Sequence, residues 1–167
     1  MIKLLRIDER LVHGQVAVVW SRFLGVNRIV VADDEAAGNE TQKIAMQMAV
    51  PKDTKLTVTT VEKAVALLND PRSEGLKIFL VVRNPENARK LTQEVKGIHE
   101  VNVGNYGRMS GEDESSKVTL ERGLYATKDE MEIFNSISAD GVRVYYQITP
   151  QEKATELGEL IARKAGK

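Results

Sequence analysis

Short apolar runs rich in β-branched residues alternate with longer amphipathic stretches along this chain, and this rhythm restricts the folds open to it. Six runs predict strands, at residues 2–7, 28–32, 55–59, 77–82, 98–103 and 142–148. Helices are predicted at residues 15–24, 60–69, 84–94 and 127–138, with one more ending at residue 50 and a last one starting near residue 150. Parallel strands joined by helices produce this pattern. The sequence therefore predicts an α/β fold: a single open, mostly parallel twisted sheet of six or seven strands with helices on both faces.

Several residues mark where the predicted helices begin and end. Gly25 ends the first helix, Pro85 occupies the first position of a later one, and Thr127 with Glu130 has the spacing of a capping box. Residues 118–126 predict a short strand or hairpin. Residues 104–117 are rich in glycine, serine and charge, which predicts a long loop, and a loop of this length inside a compact domain is often functional.

Length and composition exclude several classes of protein. The 167 residues fit one domain spanning 1–167. The 24 basic and 24 acidic residues cancel, so no global field favours nucleic acid, and the absence of cysteine excludes disulfide scaffolds and thiolate chemistry. The first residues lack the apolar core of a signal peptide, and no run approaches the ~18 apolar residues of a membrane span. We expect a cytoplasmic protein that binds no nucleic acid and does not insert into a membrane.

The stretch RIDERLVHGQV, residues 6–16, concentrates charge directly after the first predicted strand. It places His13 in a loop at the carboxyl ends of the strands, where open α/β sheets bind their ligands. A histidine has an ordinary pKa of about 6.5, so a neutral ring nitrogen is available as nucleophile or base. We expect Arg10 to oppose protonation of that ring, Asp8 to orient Arg10 or the ring, and Glu9 to face solvent.

An anion site is predicted beside this histidine. The amides of Gly14, Gln15 and Val16 open the following helix and have no partner within it. Together with the guanidinium of Arg10 and the imidazole of His13, they would suit a phosphoryl group. The alternative is an ordinary surface histidine in a solvated cluster of ion pairs, each contributing under about 1 kcal/mol. The residues alone leave both interpretations open.

Other polar residues at the same predicted edge are candidates for the rim of the site. Asp33 and Asp34 follow the second strand. They are either metal ligands of a phosphatase or helix caps that shape the rim or contact a partner. Asn105 and Arg108 lie in the glycine-rich turn after the fifth strand, which forms either a plain turn or a second wall facing His13.

Two further sets of residues are assigned no chemistry. His99, at the start of a predicted strand, has no surrounding motif and serves as an internal control for His13. Trp20, Phe23 and Leu24 share a helical spacing and are expected to pack in the core rather than to form a docking surface.

The stretch RIDERLVHGQV closely resembles the signature around the phosphorylated histidine of the IIB component of mannose/fructose/sorbose-type sugar phosphotransferase systems. The resemblance continues through IVVADDEAAGNE, AVALLNDP, VNVGN and DGVRVYYQITP, so it covers nearly the whole chain. It implies a cytoplasmic phosphocarrier in which His13 accepts phosphate on Nδ1 from a phospho-IIA protein. The phosphate would then pass to a sugar bound by the membrane components IIC and IID. Asp8 and Arg10 match the loop acid and arginine of that family.

The resemblance also has limits. It implies no cofactor or metal and a separate IIA protein, and it leaves open which hexose is used, among them mannose, fructose, sorbose and N-acetylgalactosamine. It also leaves open whether the chain forms a homo-oligomer. Acidic residues at 112–114, between Arg108 and Lys117, replace the basic loop that relatives often have, so the role of residues 108–117 stays undefined. The competing hypothesis is a non-catalytic regulatory or phosphate-sensing α/β module.

Overall fold

The computed structural model describes residues 1–108 and 116–165. In this part of the chain the strands are β1 Ile2–Ile7, β2 Arg28–Ala32, β3 Lys55–Thr59, β4 Ile78–Val82, β5 Glu100–Val103, β6 Lys117–Glu121, β7 Leu124–Thr127, β8 Arg143–Tyr146 and β9 Thr155–Glu156. The helices are α1 Gly14–Leu24, α2 Asp34–Ala37, α3 Glu40–Ala49, α4 Val61–Asn69, α5 Pro85–Glu94, α6 Lys128–Ala139 and α7 Leu157–Ala165, with a 3-10 turn at Pro71–Ser73.

Seven of these strands form one open sheet in the order β3-β2-β4-β1-β5-β8-β9. All neighbours are parallel except β9, which pairs antiparallel with β8. Strands β6 and β7 form a separate antiparallel hairpin, as the hairpin alternative for residues 118–126 predicts. The predicted open, mostly parallel α/β sheet is confirmed, and β1 lies near its centre with β4 on one side and β5 on the other.

Helices cover both faces of the sheet. One face packs against α1, α2 and α3 around the buried Trp20. The other packs against α4, α5, α6 and α7 around Phe134 and its neighbours. Strand β4, with the sequence IFLVV, is buried along its whole length because it is covered on both sides, which explains its unbroken apolar run.

The predicted signals act at the helix ends where they were expected. Gly25 ends α1 in the left-handed conformation with φ 66°. Asn84 caps α5 and Pro85 occupies its first turn, while Thr127 and Glu130 form a reciprocal capping box at the start of α6. These local interactions set where α1 ends and where α5 and α6 begin.

Two expectations about the fold are wrong, and one short helix was not predicted. The last helix begins at Leu157 rather than near residue 150, because β9 first pairs with β8. Phe23 is 65% exposed, so it is not a core residue; only an edge of its ring meets Trp20. The short helix α2 was not predicted, because its four residues are too few to show a helical period. The acids at 112–114 lie outside the described residues.

The topology brings six loops to one edge of the sheet, at the carboxyl ends of the parallel strands β1, β2, β3, β4, β5 and β8. His13 lies in the first of them. His99 lies at the amino end of β5, on the opposite edge, and is exposed.

Within the described residues, no helix is both long and apolar enough to cross a membrane.

Candidate functional site

The loop between β1 and α1 is a tight turn anchored at both ends. The amide of Asp8 donates to the carbonyl of Val82 at 2.9 Å, and the amide of Leu11 donates back to the carbonyl of Asp8 at 2.9 Å. Leu11 has φ 58°, an uncommon conformation for a residue other than glycine, and its side chain and that of Val12 are buried. The two buried side chains hold the turn against the core, so His13 emerges at a defined place.

The ring of His13 is held by a buried carboxylate. Its Nε2 lies 3.2 Å from Oδ2 of Asp8, and the side chain of His13 is 24% exposed whereas that of Asp8 is 0% exposed. The other oxygen of Asp8, Oδ1, accepts the backbone amide of Arg10 at 3.0 Å. Asp8 therefore organises the loop and orients the ring, as one of the two roles considered for it predicts.

Behind Asp8 lies a second charged group, Arg6, which is 1% exposed. Its Nη2 donates to Oδ2 of Asp8 at 3.1 Å, and its Nη1 donates to the carbonyl oxygen of Gln147 at 3.1 Å. The same Nη1 also donates to Oδ1 of Asn102, which faces Arg6 in the register of β1 and β5. One oxygen of Asp8 thus contacts both the guanidinium and the imidazole.

Burial and charge act against each other in this pair. Burial raises the pKa of the Asp8 carboxyl, but the hydrogen bond with His13, the charge of Arg6 and the amide of Arg10 together outweigh it, so the pKa lies below its ordinary value. Burial lowers the pKa of Arg6, and the neighbouring Asp8 opposes that effect. Asp8 is consequently ionised at neutral pH and can only accept hydrogen bonds.

The amides expected to bind an anion lie next to the ring. Helix α1 starts at Gly14, which has φ 47°, and continues through Gln15 and Val16. His13 is the residue before the helix, and its side chain makes no capping hydrogen bond. No side-chain cap therefore occupies the first amides of α1. These N–H groups can donate hydrogen bonds to an anion, and the helix dipole favours its binding.

Arg10 is exposed beside these amides. Its backbone amide is bound to Asp8. Among the residues that the structure describes, its guanidinium has no ion pair or hydrogen bond that would compete for an anion. The charged group in contact with the imidazole of His13 is Asp8 rather than Arg10, which differs from the expectation that Arg10 controls the ring.

Glu9 is buried, and the prediction that it faces solvent is wrong. It is 5% exposed, and its carboxylate accepts the amides of Gly107 at 3.0 Å and of Arg108 at 3.3 Å. Its own amide donates to the carbonyl of Asn105 at 3.2 Å. These bonds attach residues 105–108 to the His13 loop as a wall on one side of it. That this wall faces His13, one of the two alternatives for the turn, stays a prediction.

The side chain of Arg108 turns from this wall toward the hairpin. Its guanidinium lies 5.6 Å from the ring centre of Tyr125, and its Nη2 donates to the hydroxyl of that residue at 3.4 Å. The Tyr125 hydroxyl raises the pKa of the exposed Arg108. A cavity of about 460 Å³ lies between the wall and the hairpin, lined among others by Lys117 and Thr119.

Asp33 and Asp34 have structural partners. Asp33 caps α2 by accepting the amide of Ala36 at 2.9 Å, and it pairs with Arg83 at 3.1 Å. Asp34 accepts the amide of Val61 at 2.9 Å. No group of three or more histidines and carboxylates in residues 1–108 and 116–165 could hold a metal ion. The structure therefore supports the helix-cap interpretation of Asp33, while Asp34 anchors the start of α4.

Comparison with known proteins identifies the family. A family model described as the PTS system sorbose subfamily IIB component matches residues 2–167. The chain belongs to this family. A probable phosphotransferase enzyme IIB component of Streptococcus pyogenes is 39% identical over 162 residues, which cover 96% of this chain and 99% of that protein. The resemblance to the mannose/sorbose-type IIB components is thereby confirmed.

Solved structures of IIB components share the fold. The IIB domain of the sorbose permease from Klebsiella pneumoniae superimposes with a TM-score of 0.89 at 24% identity, covering 98% of this chain and 97% of that one. An N-acetylgalactosamine-specific IIB component from Escherichia coli superimposes with a TM-score of 0.82 at 31% identity, covering 93% and 99%. The fold described above is therefore that of a IIB component.

In this IIB component the contact between the two side chains decides which ring nitrogen is available. Because ionised Asp8 only accepts, Nε2 of His13 carries the hydrogen between them. In the neutral imidazole Nδ1 then keeps its lone pair. A nitrogen lone pair beside uncapped helical amides and an exposed guanidinium can attack a phosphorus atom, whose oxygens those donors can bind.

Sequence reasoning missed three residues of this IIB site. Arg6, Asn102 and Glu9 are all buried and all bind across the gap between two loops or strands. The signal for Arg6 and Asn102 is a polar residue inside an otherwise apolar strand, LLRI in β1 and VNV in β5. Glu9 has no such signal, because its partners are backbone amides.

Proposed function

We propose that this IIB component is a cytoplasmic phosphocarrier with a phosphohistidine intermediate. His13 accepts a phosphoryl group from the phosphohistidine of a IIA protein and transfers it to a sugar held by the membrane components IIC and IID. The observation that carries this proposal is the 3.2 Å contact between Nε2 of His13 and Asp8, which leaves Nδ1 as the nucleophile at the start of α1.

Acceptance exchanges one phosphorus–nitrogen bond for another. Nδ1 of His13 attacks the phosphorus, the bond from phosphorus to the donor imidazole breaks, and that imidazole leaves with the electron pair. The ring of His13 becomes positively charged when Nδ1 is bonded. Asp8 stabilises that charge through the hydrogen on Nε2, and the geometry is already in place before the phosphoryl group arrives.

The phosphoryl oxygens are bound by donors from two directions. The amides of Gly14, Gln15 and Val16 point out of the start of α1, and the exposed guanidinium of Arg10 offers a planar fork. Both neutralise charge without forming a covalent bond, which is what a phosphoryl transfer requires of its surroundings. The exposed position of His13 allows IIA and the sugar-bearing component to approach in turn.

Transfer to sugar reverses the role of the ring. A sugar hydroxyl attacks the phosphorus, the bond to Nδ1 breaks, and the ring regains its lone pair while the hydroxyl proton passes to a base. The reaction needs no metal or cofactor. The sugar is held by the membrane components, so the hexose is selected there as well as by the surface around His13.

The proposal is tested with phospho-IIA and membrane vesicles that contain IIC and IID. The wild type and His99→Ala should both carry label from phospho-IIA to sugar, and His13→Ala should carry none. His99 is the matched control because it is exposed on the opposite edge of the sheet. Normal labelling of His13 with no transfer to sugar would contradict the proposal and favour a non-catalytic phosphate-sensing module.

A further inference from the structure

We propose that Arg6 is a positioning residue for phosphoryl acceptance: it fixes Asp8 so that Asp8 fixes the ring of His13, and Gly104 is required to make room for it. This inference rests on the proposed function, because it concerns how the same nucleophile is held. Arg6 touches neither the reacting nitrogen nor the phosphoryl site, so its effect passes through Asp8.

The guanidinium of Arg6 is held on three sides. It donates to Oδ2 of Asp8, to the carbonyl of Gln147 at 3.1 Å and to Oδ1 of Asn102. The ring of Trp20 lies against it, with 5.4 Å from the guanidinium carbon to the ring centre. The acceptors come from the residue after β1, from β5 and from the residue after β8, so the guanidinium is held in one orientation.

Stability alone does not explain a charge at this position. Arg6 lies in a strand whose other residues from Leu4 to Ile7 are buried and apolar, and its Nε has no hydrogen-bond partner among the described residues. A buried ion pair loses its hydration, and apolar residues of similar volume often serve the fold as well or better. The arginine is explained by what it does to Asp8, which is the only acidic group it contacts among the described residues.

Gly104 provides the second observation. A Cβ built on this glycine would lie 2.2 Å from Nη2 and 2.5 Å from the guanidinium carbon of Arg6, distances that side chains do not adopt. The guanidinium would have to leave its three acceptors. Gly104 has no positive φ, so the glycine is needed for this close approach rather than for its backbone conformation.

The consequence for His13 follows from the sharing of one oxygen. Oδ2 of Asp8 contacts Nη2 of Arg6 at 3.1 Å and Nε2 of His13 at 3.2 Å. Arg6 fixes that oxygen from inside the sheet, and the amide of Arg10 fixes Oδ1 from the loop. The carboxylate cannot rotate away, so the ring offers Nδ1 to the donor in one orientation.

The test compares Arg6→Met, Gly104→Ala and Gly75→Ala. Methionine has an unbranched apolar side chain that can occupy the space of the arginine side chain without its charge. A Cβ on Gly75 would meet nothing within 4 Å, which makes this variant the control for replacing a glycine. Nitrogen-15 NMR reports the Nε2–H resonance of His13, and His99, which is exposed, gives a reference in the same spectrum.

In the wild type and in Gly75→Ala, we expect a protected Nε2–H signal from His13. In Arg6→Met and Gly104→Ala the signal should be lost to exchange with water. Labelling of His13 by phosphoramidate, a small donor that needs no docking, should slow about tenfold to a hundredfold in both, the range found when the partner that orients a metal-binding histidine is removed. Arg6→Lys should restore part of the rate.

An unchanged Nε2–H signal and labelling rate in a folded Arg6→Met or Gly104→Ala would overturn the inference. If Arg6→Met does not fold, Gly104→Ala and Arg6→Lys decide, since Gly104→Ala keeps every charge and Arg6→Lys keeps the cation. If Gly104→Ala does not fold, the two Arg6 variants decide. The outcome is separable from that of the proposed function. Wild-type His13 that phospho-IIA does not label would sink the phosphocarrier, whereas equal labelling of wild type and Arg6→Met would sink only the role of Arg6.

Discussion

Nε2 of His13 and Oδ2 of Asp8 lie 3.2 Å apart at the point where β1 ends and α1 begins. The carboxylate is fully buried and the ring is partly exposed. This arrangement gives one nitrogen of the ring a permanent partner inside the protein and leaves the other for chemistry at the surface.

The first prediction concerns the stability of the fold at acid pH. The pKa of Asp8 is lower than its ordinary value. A carboxyl whose pKa is lower in the folded chain stabilises the fold when ionised; this stability is complete above its unfolded pKa of about 3.9 and is lost as the pH falls through the folded pKa. Urea unfolding should therefore show stability falling below about pH 4 in the wild type, less steeply in Asp8→Asn.

Asp70→Asn is the control for that experiment. Asp70 has a pKa of about 2 because of its hydrogen bonds with Arg72, but the pair is exposed, so added salt should screen its contribution. Salt should leave the contribution of buried Asp8 in place. At neutral pH, Asp8→Asn should also lower the free energy of unfolding by about 3–5 kcal/mol, because Arg6 is left as an unpaired buried charge. Equal pH profiles for wild type and Asp8→Asn would show that Asp8 has no such role.

The second prediction separates charge from fold at Arg10. Because its guanidinium is exposed, Arg10→Ala should change the free energy of unfolding by no more than about 0.5 kcal/mol. Labelling of His13 by phospho-IIA should nevertheless fall, since one cation at the phosphoryl site is lost. Arg22→Ala, at an exposed position near the other end of α1, should leave labelling unchanged. Similar labelling in both variants would rule out a phosphate contact by Arg10.

The third prediction compares two glycines of one helix. Gly14 and Gly25 have φ values of 47° and 66°, and a Cβ on either would meet nothing within 4 Å. Replacing either with alanine should cost about 1–2 kcal/mol, the penalty of a left-handed residue with a side chain. Only Gly14→Ala should slow the labelling of His13: alanine keeps the backbone N–H, but its side chain disfavours the left-handed φ with which Gly14 starts α1, where the amides that bind the phosphoryl group lie. Thermal unfolding and labelling distinguish the two effects, and equally slowed labelling would contradict the amide site.

The fourth prediction concerns the wall beside the site. Glu9→Gln should lower the free energy of unfolding by about 1–3 kcal/mol, because an amide cannot accept from both backbone N–H groups as a carboxylate does. Labelling by phospho-IIA should slow while labelling by phosphoramidate should not, since the wall serves docking. Glu132→Gln, on an exposed position of α6, is the control. A parallel loss with both donors would place Glu9 in the chemistry instead.

The architecture was predictable because its signals are local. Strand β2 is buried at four of its five positions, β4 is buried throughout, and the boundaries at Gly25 and Thr127 depend on residues a few positions apart. The contact of Asp8 with His13 spans five positions and was within reach of the same reasoning. Each of these features is set by neighbours in the chain.

The contacts that sequence reasoning missed are long-range. Arg6 reaches Asn102 across 96 positions, and Glu9 reaches Gly107 across 98. A local pattern shows that Glu9 is charged and lies in a loop, which predicts exposure. Only the pairing of β1 with β5 places unsatisfied backbone amides opposite its carboxylate. For Phe23, helical spacing indicates the buried side of α1, yet it does not tell how far the sheet extends beneath that residue.

The central claim is that the phosphoryl group travels on Nδ1 of His13. Incubation with phospho-IIA, followed by mass spectrometry and phosphorus-31 NMR of the product, tests it most directly. We predict one acid-labile, base-stable phosphate, attached to Nδ1 of His13 and absent from His13→Ala. Phosphate on another residue, or on Nε2, or undiminished labelling of His13→Ala would contradict it.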